Sequence, residues 1–118
     1  MHELAIAESI VAIATRHAGD GRVTEVHVQV GRLRQVVPAA LEFAFELCTQ
    51  GTAAEGAALV LEDIPVAGVC RGCGVRSEPD GFPLACPACG GLDLEIVRGE
   101  ELVVDSLELE REVTRSGG

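Results

Sequence analysis

The stretch VCRGCGVRSEPDGFPLACPACGG, residues 69–91, decides how this chain is built. It contains two Cys-x-x-Cys pairs, Cys70–Cys73 and Cys86–Cys89, with 12 residues between them, and each pair is followed by glycine, Gly74 and Gly90. A Cys-x-x-Cys turn lets two thiolates converge on one ion while backbone N–H groups of the turn point at the sulfurs. The glycine after it can adopt the positive φ that such a knuckle needs. Two knuckles supply a tetrahedral four-sulfur site with metal–sulfur bonds of about 2.3 Å, which suits Zn(II). Four protein ligands leave no open coordination position, so the expected role is structural. A segment of about 30 residues cannot bury a sufficient core alone. Zinc, worth about 10–16 kcal/mol in finger peptides, would supply the folding energy.

Two other readings of the segment stand beside zinc. Disulfides or a redox dithiol are disfavoured, because a redox Cys-x-x-Cys comes once, on a strand–helix unit. Iron in a rubredoxin-like knuckle pair is a stronger rival, but such a domain has an aromatic core and this segment offers only Phe82.

Outward from the cysteines, hydrophobic periodicity returns. Leu4 to Ala18 has apolar residues at helical spacing and is stopped by Gly19. Val23 to Val30 alternates, with Val26, Val28 and Val30 on one face and Glu25, His27 and Gln29 on the other. Pro38 to Cys48 reads as a second helix with Leu41, Ala44, Phe45 and Cys48 on its buried face. Leu59 to Ile64 and Glu101 to Glu110 read as strands, the latter with a change of phase at Asp105-Ser106 that suggests a bulge. Residues 68–91 show no apolar period. The expected fold is α+β: a small three-stranded sheet packed with two helices, plus an inserted zinc-ribbon sub-domain. Residues 1–66 and 97–118 would form the main domain and 67–96 the ribbon. Strands 59–64 and 101–110 are expected to pair antiparallel, with the ribbon projecting from their hairpin.

Composition narrows the function. Nine basic residues against nineteen acidic ones give a formal charge of -10, without a basic cluster, which speaks against a nucleic-acid-binding zinc-ribbon module. The chain opens without a signal-peptide pattern and has no apolar run long enough for a membrane span, so a cytoplasmic location is expected. Five cysteines in that setting argue for metal binding over disulfides. No nucleophilic triad, phosphate-binding glycine loop or open zinc site argues for an enzyme.

The opening residues Met1-His2-Glu3 add a second chemistry. A free α-amine, the His2 backbone nitrogen and the His2 imidazole can close fused chelate rings on one ion. The Glu3 backbone nitrogen or carboxylate can complete the set. Such nitrogen-rich, square-planar ligation selects Ni(II) or Cu(II) over Zn(II). His17 and His27 read as ordinary surface residues, and Glu108 to Glu112 as a solvated strand end.

Met1-His2-Glu3-Leu4 followed by Glu8-Ser9-Ile10, then Val30-Gly31, Phe43-Ala44-Phe45-Glu46, Gly51-Thr52, Glu55-Gly56-Ala57, both cysteine knuckles, Gly99-Glu100-Glu101-Leu102 and Ser106-Leu107-Glu108 occur in that order. Together they resemble the HypA/HybF family of hydrogenase nickel-incorporation proteins over almost the whole chain. The resemblance implies a small cytoplasmic metallochaperone, monomeric or homodimeric, with a nickel-binding domain and a zinc ribbon. It implies work with the accessory GTPase HypB and delivery of Ni(II) to the precursor of the [NiFe] hydrogenase large subunit, with urease and its accessory proteins as further clients in some members. Carried over by position, His2 is the nickel ligand with Met1 and Glu3 contributing, and Cys70, Cys73, Cys86 and Cys89 hold zinc.

Overall fold

The computed structural model describes residues 2–110. Met1 and residues 111–118, which include the end of the acidic run, lie outside the described residues. The elements follow in the order α1 (Glu3–Ala18), β1 (Arg22–Gly31), a short 3-10 turn (Arg32–Arg34), α2 (Pro38–Thr49), β2 (Ala58–Ile64), β3 (Ala67–Cys70), β4 (Arg76–Ser77), β5 (Leu94–Arg98) and β6 (Leu102–Glu110). Two compact units emerge. One gathers the chain up to Val28, Val36–Glu62 and the chain from Val103; the other gathers Gln29–Gln35 and Asp63–Leu102.

In the first unit, α1 buries Ala7, Ile10, Val11, Ala14 and Ala18, a stripe of three- and four-residue steps. Gly19 then takes φ 62, which a side chain would resist, and the helix ends with Arg16 and His17 in its last turn. Helix α2 begins with Pro38, whose missing N–H costs nothing in a first turn, and buries Leu41, Ala44, Phe45 and Thr49. Thr49, not Cys48, completes that face. Its hydroxyl donates to the Glu46 carbonyl at 2.9 Å, which lets a polar side chain enter the core. Cys48 sits half-buried, and burial pushes its thiol up, with Glu8 adding to the shift.

The main sheet has the order β2-β1-β6. The expected pairing of strands 59–64 and 101–110 is therefore wrong: β1 lies between them. The physical reason is burial. Val23, Val26 and Val28 of β1 are almost fully enclosed, whereas β6 and β2 up to Asp63 show only exposed and half-buried positions and carry Glu62, Asp63, Asp105, Glu108 and Glu110; in β2 only the terminal Ile64 is buried. An apolar strand belongs in the middle and charged strands at the edges. Gly31 N–H bonds to the Glu101 carbonyl and Thr24 Oγ1 to the Glu108 carbonyl, so β1 and β6 run in opposite directions. Burial along β6 changes phase at Asp105-Ser106, the position where a bulge was expected.

The second unit contains a sheet that periodicity did not announce, with order β4-β3-β5. Strand β3 pairs antiparallel with β4 through Gly68↔Ser77 and Val69↔Arg76, and with β5 through Val69↔Glu95 and Cys70↔Leu94. A register shift between Ala67 and Gly68 interrupts the second ladder. Residues 68–91 are thus not structureless: two short strands, one of them only two residues long, hold the first knuckle.

Candidate metal centres

Cys70 ends β3, and the chain turns back at once. Gly74 N–H donates to the Cys70 carbonyl at 2.7 Å, and Cys70 N–H donates to the Val75 carbonyl at 3.0 Å. The second knuckle repeats the pattern: Gly90 N–H to the Cys86 carbonyl at 2.7 Å, Cys86 N–H to the Gly91 carbonyl at 2.8 Å. Gly74 and Gly90 take φ 80 and 77, the conformation their type was expected to permit. Arg71 braces the first knuckle from outside, its N–H accepted by the Asp93 carbonyl and its guanidinium paired with the Asp93 carboxylate at 2.8 Å.

The two knuckles face each other. The four sulfurs of Cys70, Cys73, Cys86 and Cys89 all lie within 4.8 Å of one another. Cys70 Sγ is 3.7 Å from Cys89 Sγ, and Cys73 Sγ is 3.6 Å from Cys86 Sγ. Those separations exclude disulfides, which need about 2.05 Å. They match the edge of a tetrahedron of sulfurs around a zinc ion, about 3.8 Å for bonds of about 2.3 Å. Cys70 and Cys86 are buried, Cys73 and Cys89 exposed.

The protein polarises the buried pair toward the thiolate. The Cys73 and Gly72 amides hold the Cys70 thiol down at about 7. The Cys89 and Ala88 amides lower Cys86 likewise. At Cys73 the Val75 amide favours the thiolate, but the hydrogen bond with Cys86 and burial outweigh it and the thiol is pushed up to about 12. At Cys89 the Gly91 amide acts the same way and is outweighed by Cys70 and Cys86, so that thiol is raised too. Without a cation, four converging sulfurs cannot all be charged, and protons are shared between pairs. A divalent ion removes that conflict, so this donor set fits zinc.

At the other predicted centre, His2 is exposed and immediately precedes α1. Its carbonyl accepts the Ile6 N–H at 3.1 Å. Glu3 opens the helix, and its Oε2 accepts the Val37 N–H, at the start of α2, at 3.0 Å. That bond holds the Glu3 carboxyl below the usual carboxylate range. Sequence reasoning assigned Glu3 only a ligand role and missed this contact. The chain places His2 and Glu3 together, while Met1 lies outside the described residues. His27, read as a surface residue, is partly exposed and stands between Glu25 and Glu108. Its signal in the sequence was the Glu25-x-His27 alternation, but Glu108 could be added only from the strand order.

Two helices, two small sheets and a four-cysteine cluster consistent with a zinc ribbon define the class: a small α+β protein with a metal-binding cysteine site. Comparison with known proteins narrows that class. The family model described as "Hydrogenase/urease nickel incorporation, metallochaperone, hypA" matches residues 1–109. The hydrogenase maturation factor HypA of Geobacter metallireducens is 46% identical over 110 residues, covering 93% of this chain and 100% of the relative. Its counterpart in Geotalea uraniireducens is 44% identical with the same coverage. The solution structure of the Ni metallochaperone HypA from Helicobacter pylori superposes with a TM-score of 0.67 at 25% identity, covering 95% of this chain and 100% of that one. The chain belongs to the HypA family of hydrogenase/urease nickel-incorporation metallochaperones. It is a maturation factor and not an enzyme. No helix among the described residues is long and apolar enough to cross a membrane.

Proposed function

We propose that this chain binds Ni(II) at Met1-His2-Glu3 as transferable cargo and helps insert it into the precursor of the [NiFe] hydrogenase large subunit. In this reading Cys70, Cys73, Cys86 and Cys89 hold a structural Zn(II), and 67–96 is the ribbon inserted into a nickel-binding domain of 1–66 and 97–118. The accessory GTPase HypB is the partner in transfer, urease accessory proteins are a second possible route, and the work takes place in the cytoplasm.

One observation carries the division of labour. Four sulfurs close on one point with two of them buried, whereas His2 is exposed beside the first turn of a helix. A closed cage retains its ion; an open set of nitrogen donors can be dismantled ligand by ligand. The N–H groups of a helix's first turn have no intrahelical acceptors, so a metal that takes an amide nitrogen there breaks no helical hydrogen bond. Nickel as the cargo is supported by the family and by the preference of nitrogen-rich square-planar sites for Ni(II).

The test uses protein with a native amino terminus, comparing wild type with His2→Ala. One zinc is expected to remain in both, and tight Ni(II) binding to be lost in the variant. A residue added before Met1 should weaken nickel binding as well, by removing the α-amine from reach. Equal nickel affinity in wild type and His2→Ala would overturn the assignment.

A further inference from the structure

Across the sheet from β1 to β6, three donors converge that neither the ribbon nor the amino terminus uses. Glu25 and His27 are two residues apart on β1, so they share the face opposite Val26 and Val28. Glu108 of β6 reaches the same spot, its strand fixed there by the Thr24 hydroxyl bond to the Glu108 carbonyl at 3.1 Å. His27 Nε2 lies 2.9 Å from Glu25 Oε1 and 3.6 Å from Glu108 Oε2. One ligand atom from each of the three residues falls within 4.8 Å of the others.

We infer that Glu25, His27 and Glu108 form a second, exchangeable site for a divalent first-row metal ion. The geometry supports this in two ways. Imidazole and carboxylate ligands sit at about 2.0–2.2 Å from such an ion, which puts neighbouring donors about 3.0 Å apart at a right angle and about 3.4 Å apart at a tetrahedral angle. The observed 2.9 and 3.6 Å straddle that range, so small side-chain adjustments complete the set. The charges also suit a cation. A single Nε2–H can serve Glu25 at 2.9 Å, but 3.6 Å to Glu108 is too long for a hydrogen bond. A metal in place of that proton is shared by both carboxylates.

The donor set defines the class of ion. One imidazole and two carboxylates suit Zn(II), Co(II) or Ni(II), and unlike four thiolates they exert no soft-ligand selection. Three protein ligands leave further positions for water or another ligand. The side chains of His27, Glu25 and Glu108 are 32%, 40% and 62% exposed, so the ion can enter and leave from solvent. All three stand on paired strands, which fixes their backbones without a metal.

The inference is independent of the amino-terminal reading, and the experiment keeps the two apart. Full-length zinc-loaded protein carrying His2→Ala is titrated with Co(II), whose paramagnetism broadens nearby amide resonances. Broadening strongest at 25–28 and 107–109 and falling off with distance from them, with one further equivalent bound, is the expected result. His27→Gln, which keeps the size of the side chain and a hydrogen-bonding group, should abolish both effects. Glu25→Gln should weaken them while leaving His27 in place. If Co(II) leaves 25–28 and 107–109 unbroadened, or His27→Gln binds like its parent, the cluster is only a surface ion pair and the inference fails. Nickel bound by His2→Ala but lost when His27→Gln is added belongs to this cluster, whereas nickel held at wild-type affinity by the protein carrying both substitutions would overturn the amino-terminal site without touching this one.

Discussion

Gly31→Ala tests the close approach in which β1 passes the segment leading into β6. An ideal Cβ on Gly31 would fall onto the carbonyl carbon and oxygen of Gly99 and against the Glu100 nitrogen, all of them backbone atoms. The backbone angles of Gly31, φ -71 and ψ 141, are ones alanine adopts freely, so the cost is steric alone. Relief requires moving Gly99, and Gly99 is itself confined: it takes φ +116 and its own Cβ position lies 2.9 Å from Val66 Cα. Two backbone bonds depend on the fit, Gly31 N–H to the Glu101 carbonyl at 2.7 Å and Leu33 N–H to the Gly99 carbonyl at 2.8 Å. Overpacking costs about 1–3 kcal/mol. Weakening two hydrogen bonds adds about 0.5–1.5 kcal/mol each. The stiffer unfolded chain returns about 0.4–1 kcal/mol. The net expectation is a destabilisation of roughly 1–5 kcal/mol, a large share of a typical stability of about 5–15 kcal/mol. At a central value of about 3 kcal/mol, the melting temperature of zinc-saturated protein should fall by roughly 10–18 °C. Gly56→Ala is the control: Gly56 takes φ +82 but has open space around it, so only the left-handed backbone is penalised, by about 1–2 kcal/mol. Urea and thermal unfolding of both variants decide the matter. A Gly31→Ala protein within about 0.5 kcal/mol of wild type would refute the reasoning.

Two further outcomes follow from the site geometry. Cys86→Ser removes a buried sulfur and should collapse the ribbon: zinc retention drops by about 10²–10³-fold if each ligand carries a quarter of about 10–16 kcal/mol, and protected amides are lost across 67–98 while the helical circular dichroism of α1 and α2 persists; a variant that keeps its zinc and those amides contradicts the closed-cage reading. The Glu101 carboxyl is held below its ordinary range by its own amide and by the Gly99 N–H at 2.8 Å. A lowered folded value means stability that is present above the unfolded value of about 4.3 and lost as pH falls through the folded one. Urea midpoints of wild type should therefore exceed those of Glu101→Gln near neutral pH, and the gap should close on acidification, with zinc loss common to both proteins cancelling from the comparison. A gap that does not change with pH would show that the carboxylate's charge contributes nothing.

The elements were legible where they are long and periodic. Ile10, Val11 and Ala14 mark α1, Leu41, Ala44 and Phe45 mark α2, and Val26 and Val28 mark β1, because one buried face repeats at a fixed spacing. The cysteine knuckles were legible from spacing alone, since a metal-binding turn constrains neighbouring residues and needs no knowledge of the rest of the fold. Strand order was not legible. It depends on which strand takes a neighbour on each edge, and the alternating patterns of β2 and β6 suit a hairpin as well as two edges. The second sheet was hidden because β3 has four residues, including Gly68, and β4 has two, too few for any period to show. The contact of Glu3 with Val37 and the meeting of His27 with Glu108 join residues 34 and 81 positions apart, so no local pattern contains them.

If, as proposed, the chain carries Ni(II) while keeping Zn(II), exchange between the two has to be prevented, and burial and donor type both act in that direction. The ribbon offers only sulfur, with Cys70 and Cys86 enclosed and held toward thiolate by turn amides. Entry of nickel there would require a soft tetrahedral geometry that square-planar Ni(II) does not favour, and exit of zinc would require the converging thiolates to take up protons. His2 and the cluster at His27 offer nitrogen and oxygen at the surface instead. Ions held there exchange through solvent without opening a core. On this argument the slow site and the fast sites are separated by the same chemistry that separates zinc from nickel. Swapping a ribbon cysteine for histidine should then do more than weaken zinc: by mixing nitrogen into the cage, it should let Ni(II) compete for a position that the wild-type ribbon denies it.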